Sequence, residues 1–107
     1  MEYKREISPR VETDIMEICS YISEDNPAVA LKVYNRIYDA IYSVTTFPTI
    51  GVNVSARYNI ESRHKYFTVL PYPYLIFYEI VGDTIYVDAV IHGKRNLNKL
   101  LKKLGKK

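Results

Sequence analysis

Two histidines stand where proton-transfer chemistry could be done. His64 lies within Arg63-His64-Lys65, and His92 opens His92-Gly93-Lys94-Arg95. Histidine is the side chain whose charge changes near neutral pH. An acid–base group beside cations is what metal-free cleavage of an RNA phosphodiester needs. One group takes the 2′-hydroxyl proton, one protonates the leaving oxygen, and cations stabilise the phosphorane charge. His92, at the end of an apolar run, is the first candidate; His64 is the second and Glu61 the third. Arg57, Arg63, Lys65 and Lys94 could supply positive charge to a phosphate. Each group also has a plainer account. His92 could make a hydrogen bond that ends a strand, Arg63-His64-Lys65 could be a solvated turn, and Arg95 could hold the last helix in place.

The histidines have no carboxylate or cysteine partner at ligand spacing along the chain, so no metal and no cofactor is expected. The single cysteine, Cys19, excludes an internal disulfide and a cysteine-rich zinc site. It falls beside a helical stripe, where a buried and inert thiol is expected. The chain has 11 tyrosines, tempting as base-stacking platforms. Tyr34, Tyr38, Tyr78 and Tyr86 fall at helix and strand spacings that read as core or interface. Tyr72 and Tyr74, beside Pro71 and Pro73, are better placed for a surface contact.

The elements that must position these groups read β-α-α-β-β-β. Residues 2–7 alternate as a short edge strand would. Ser8-Pro9 is a helix-start signal. Val11, Ile15, Ile18 and Ile22 then form one apolar stripe. Asn26-Pro27 repeats the signal, and Ala30, Tyr34, Ile37, Ile41 and Val44 make the second stripe. The short connection implies an antiparallel helical hairpin. Phe47-Pro48-Thr49-Ile50-Gly51 breaks the pattern. Strands are expected over Tyr66–Leu70, Tyr74–Val81 and Thr84–Ile91, with Gly82-Asp83 as a two-residue hairpin turn. Ile85, Val87, Ala89 and Ile91 alternate as if to face the helices. A short basic helix is expected over Asn96–Leu104. The fold class is α+β, with the hairpin packed on one curved, mainly antiparallel sheet.

All 107 residues fit one domain, which buries about two-thirds of its unfolded surface. The apolar run at Leu75–Tyr78 is far too short to span a bilayer, and the first six residues hold no apolar signal region. A cytoplasmic protein with no membrane association is expected. The net charge of +3 is polarised. Residues 1–54 carry −3 and residues 55–107 carry +6, with seven basic and no acidic residues from Lys94 onward. Such a chain can present a basic face to a polyanion or an acidic protein, or simply a solvated terminal helix.

Four segments together resemble the RelE/ParE superfamily of type II toxin–antitoxin toxins. They are the helix pair closing at Phe47-Pro48-Thr49-Ile50-Gly51, the strand Tyr74-Leu75-Ile76-Phe77-Tyr78-Glu79-Ile80, the Gly82-Asp83 hairpin into Ile85-Tyr86-Val87, and Val90-Ile91-His92-Gly93-Lys94-Arg95-Asn96. The last is close to a terminal V-x-H-G-x-R-[DN] signature. The resemblance implies a protein that arrests growth when free and is neutralised by a cognate antitoxin, through an acidic-hydrophobic segment that folds on binding. The sheet edge at Tyr3–Ile7 or Thr84–Ile91, or the groove beside the helical hairpin, could receive that segment.

The resemblance allows two targets. ParE-like members inhibit DNA gyrase without catalysis; RelE-like members cut mRNA on the ribosome. In the nuclease branch Arg95 would sit over the scissile phosphate, with His92 as acid–base group. A tyrosine common in that branch is Leu101 here. The lysine-rich segment after the second helix is also missing, since Val52-Asn53-Val54-Ser55-Ala56 carries no charge. These departures favour the ParE-like branch. A non-toxic remnant that keeps the fold is a third reading.

Overall fold

The computed structural model describes residues 2–59 and 61–93. Lys94, Arg95 and the helix expected over Asn96–Leu104 lie outside the described residues. The elements run β1 (Lys4–Ile7), α1 (Pro9–Ser23), α2 (Pro27–Thr46), a 3₁₀ turn (Pro48–Ile50), β2 (Val52–Asn53), α3 (Val54–Tyr58), β3 (His64–Thr68), β4 (Tyr74–Val81) and β5 (Thr84–His92).

Both long helices start as the sequence directs. The Ser8 hydroxyl accepts the Arg10 amide at 3.2 Å, and Asn26 Oδ1 accepts the Val29 amide at 3.1 Å. Each helix has proline in its first turn, where no amide partner is missed. The first stripe is seated as expected: Val11 and Ile15 are buried, with Ile18, Cys19 and Ile22 partly so. On α2 the buried face is Ala30, Val33, Ile37, Ala40, Ile41 and Val44. Tyr34 is 44% exposed and leaves the expected stripe. Val33 takes its place because the helix turns its smaller side chains to α1 and the sheet.

The five strands form one sheet in the order β1-β5-β4-β3-β2. β1 runs parallel to β5, and the other pairs are antiparallel. The antiparallel β4–β5 hairpin turns at Gly82-Asp83, with Gly82 at φ +61°, a left-handed conformation that suits glycine. β1 pairs with Thr84–Val87, so that half of β5 is not a sheet edge, whereas past Val87 no strand among the described residues lies beside it on that side. Among the described residues the outer strands are β1, exposed along its whole length, and the short β2.

A bulge divides β5. Tyr78 faces Val87, but Phe77 faces Ala89, so Asp88 is one residue extra. Ile85, Val87 and Val90 therefore pack with α1 and α2, together with Tyr74, Ile76 and Tyr78 of β4. Ala89 and Ile91, expected on that side, join Leu75, Phe77 and Val54 in a second cluster on the opposite face. β1 ends opposite Val87, and past that point Asp14 of α1 accepts the Val90 amide at 3.0 Å. The helices cover one face of the sheet, and α3 packs on the other through Val54 and Tyr58.

Candidate functional site

Three neighbouring strands assemble one polar cluster on the α3 face. His64 opens β3 directly opposite Glu79 of β4, which in turn faces Tyr86 of β5. Asp88, two residues past Tyr86, turns to that same face. His64 Nε2 lies 2.5 Å from Asp88 Oδ2, and Arg63 Nε lies 3.1 Å from Glu79 Oε2. Ser62 Oγ accepts the His64 amide at 3.0 Å and stands 3.4 Å from its Nδ1. The ring is thus held at both nitrogens and leaned against a carboxylate. With the proton on Nε2 it donates to Asp88 and keeps Nδ1 as an acceptor.

An aromatic strip runs beside the cluster. The rings of Tyr58 and Tyr66 are 5.9 Å apart, those of Tyr66 and Phe77 are 6.1 Å apart, and the Arg57 guanidinium sits 5.1 Å above Tyr58. Burial first, then the neighbouring Tyr66, pushes the Tyr58 phenol above its ordinary value, with Arg57 opposing. Tyr58 therefore stays a proton-bearing donor at neutral pH.

The fold brings together few of the residues that sequence nominates. Arg63 and His64 join the cluster, as a loop end and a strand start rather than a solvated turn. Lys65 alternates to the other face, opposite Tyr78, and donates to Asn53 Oδ1 at 2.9 Å. Arg57 stays on α3 over its own neighbour. Glu61 is exposed. His92 pairs with Tyr74 and meets its ring edge-on at 5.5 Å, on the helix side. Tyr74 is buried there rather than free for a surface contact, and Tyr72 is partly buried. Tyr78 is core as expected, whereas Tyr34, Tyr38 and Tyr86 are exposed. Burial pushes the Cys19 thiol up, away from the reactive thiolate.

Glu79, Asp88 and Ser62 are the members that sequence reasoning passes over. The available signal was a carboxylate interrupting each of two apolar strands. The expectation that neither histidine has carboxylate partners rested on chain spacing, and strand register replaces it: His64, Glu79 and Asp88 offer ligand atoms within 4.8 Å of one another.

The chain matches, over residues 5–97, a family described as the ParE toxin of the type II toxin–antitoxin system parDE. It belongs to the ParE toxin family. A solved structure described as the chromosomal ParDE TA system from P. aeruginosa contains a chain of similar fold. That likeness has a TM-score of 0.69 at 14% identity, over 84% of this chain and 95% of the other. No curated protein sequence matches the chain. The RelE/ParE resemblance and the α+β architecture both stand. Among the described residues of this ParE-family toxin, no helix is long and apolar enough to cross a membrane.

Proposed function

We propose that this ParE-family toxin arrests growth when free by binding DNA gyrase, without catalysis, and that a cognate antitoxin neutralises it. The carrying observation is the charge arrangement at the candidate site. RNA cleavage without a metal needs cations converging on one phosphate. Among the described residues the nominated cations diverge: Arg57 over Tyr58, Lys65 on Asn53, Arg63 on Glu79. Two carboxylates, Glu79 and Asp88, stand against Arg63 and His64. Such a face is poor for a polyanion.

The antitoxin reading has separate support. The basic second half of the sequence suits an acidic segment, and the exposed β1 edge offers main-chain pairing to an extended one.

One observation favours a second reading, the ribosome-dependent endonuclease. Asp88 and Ser62 hold His64 as a base could be held. A cell-free translation reaction separates the two. Gyrase binding expects reporter mRNA to stay intact when the purified chain is added. New 5′ ends at codon-phased positions, appearing only during translation, would overturn it.

A further inference from the structure

We propose that His64, Glu79 and Asp88 form a binding site for one divalent transition-metal ion of the zinc class. The three donors come from three adjacent strands: His64 pairs with Glu79, Glu79 pairs with Tyr86, and Asp88, two residues past Tyr86, turns to the same face. Zinc takes imidazole nitrogen and carboxylate oxygen at about 2.0–2.2 Å, which sets neighbouring ligand atoms roughly 3–3.5 Å apart. The present separations, from 2.5 Å for His64–Asp88 up to 4.8 Å across the group, bracket that spacing.

The surroundings favour an ion. The side chains of His64 and Glu79 are each 17% exposed, so little freedom remains to be lost, while Asp88 at 39% leaves a way in. Metal on Nε2 places the imidazole proton on Nδ1, where Ser62 Oγ stands to accept it, as an outer partner of a metal-bound histidine does. Two carboxylates and a neutral imidazole balance a doubly charged ion. Imidazole selects zinc and its neighbours over magnesium or calcium, which favour all-oxygen sites. Arg63 is the competitor. Its side chain is 72% exposed, so its pair with Glu79 is weak and it can swing into solvent. Bound metal ties β3, β4 and β5 together and leaves coordination positions open to water. The site stands apart from the gyrase reading, since the metal-free protein could bind gyrase equally well.

The test is calorimetric titration of the metal-free full chain with zinc chloride near neutral pH, beside a thermal melt. One ion per chain is expected, with a raised Tm. His64→Gln and Glu79→Gln should each weaken binding by at least about tenfold. Arg63→Gln should strengthen it, because the competing cation is gone. Cys19→Ser and His92→Gln should leave it unchanged. Where His64→Gln fails to fold by circular dichroism, Glu79→Gln and Arg63→Gln decide. No binding, zinc affinity indifferent to Glu79→Gln, or magnesium bound equally well would overturn the proposal.

Discussion

The Tyr78 hydroxyl lies 2.9 Å from the Gly51 amide nitrogen and accepts its hydrogen bond, while donating to the Pro48 carbonyl at 2.6 Å. A β-carbon on Gly51 would overlap that hydroxyl. The central strand and the turn after α2 therefore fit only with glycine at one position and a phenol at the other. Tyr78→Phe leaves the Gly51 amide and the Pro48 carbonyl without this partner and should cost about 1–3 kcal/mol. Gly51→Ala should cost at least as much, and the double variant should cost less than the sum, because losing the hydroxyl relieves part of the overlap. Urea denaturation of the three variants checks this.

The same phenol gives an alkaline signature. Burial pushes Tyr78 above its ordinary value of 10.0. Above pH 10 the unfolded chain releases this proton while the folded chain keeps it, so stability falls as pH rises through that interval. Tyr78→Phe should make the alkaline loss shallower in denaturation measured across that range.

Asp14 gives a second pH dependence with the same sign at the acid end. Burial raises its carboxyl above 3.8, against the pull of the Val90 amide and of Arg10. The folded chain holds this proton to higher pH than the unfolded one. Stability from this group is thus present below 3.8 and is lost as pH rises through the raised value. Asp14→Asn keeps an acceptor for Val90 and removes the charge. It should be no less stable than the parent at neutral pH, with a flatter profile in mild acid. Asp14→Ala orphans the Val90 amide and should lose about 1–3 kcal/mol. Thermal melts across mild acid to neutral pH check both.

Growth arrest by gyrase binding should survive loss of the candidate acid–base groups. His92→Ala and His64→Gln are expected to remain toxic on induction, provided circular dichroism shows them folded. Loss of toxicity in either folded variant, with antitoxin binding kept, would point to catalysis.

The exposed apolar face of the helical hairpin should matter instead. Leu31 and Tyr42 are each more than half exposed on α2, and the Tyr34 and Tyr38 rings lie beside them, tilted to each other with centroids 4.8 Å apart. Leu31→Ala and Tyr42→Ala should change stability by no more than about 0.5 kcal/mol. They should nonetheless weaken growth arrest, read as colony counts after induction.

Much of this fold is legible in the sequence because its signals are local. Ser8-Pro9 and Asn26-Pro27 set both helix starts through a side-chain acceptor and a missing amide. Tyr74–Val81 is bounded by Pro73 and Gly82, and both ends are where the residues place them. What escapes depends on distant neighbours. Nothing in Thr84–Ile91 announces a bulge, so Ala89 and Ile91 are assigned to the wrong face by simple alternation. α3 is five residues long, too short for a period to show. Tyr34 fits the helical stripe by spacing, but the narrow seam between α1, α2 and the sheet takes Val33.

The candidate site is half legible for the same reason. His64 can be named from its chemistry. Its partners Glu79 and Asp88 are 15 and 24 residues away, and only strand register joins them. The family resemblance was readable because four weak segments keep their order along nearly the whole chain.

The most direct measurement is a gyrase supercoiling reaction on relaxed plasmid, with the purified chain added alone and with its cognate antitoxin. Gyrase binding predicts that supercoiling stops with the free chain and recovers when antitoxin is present. Unimpaired supercoiling at every concentration of folded chain would contradict it.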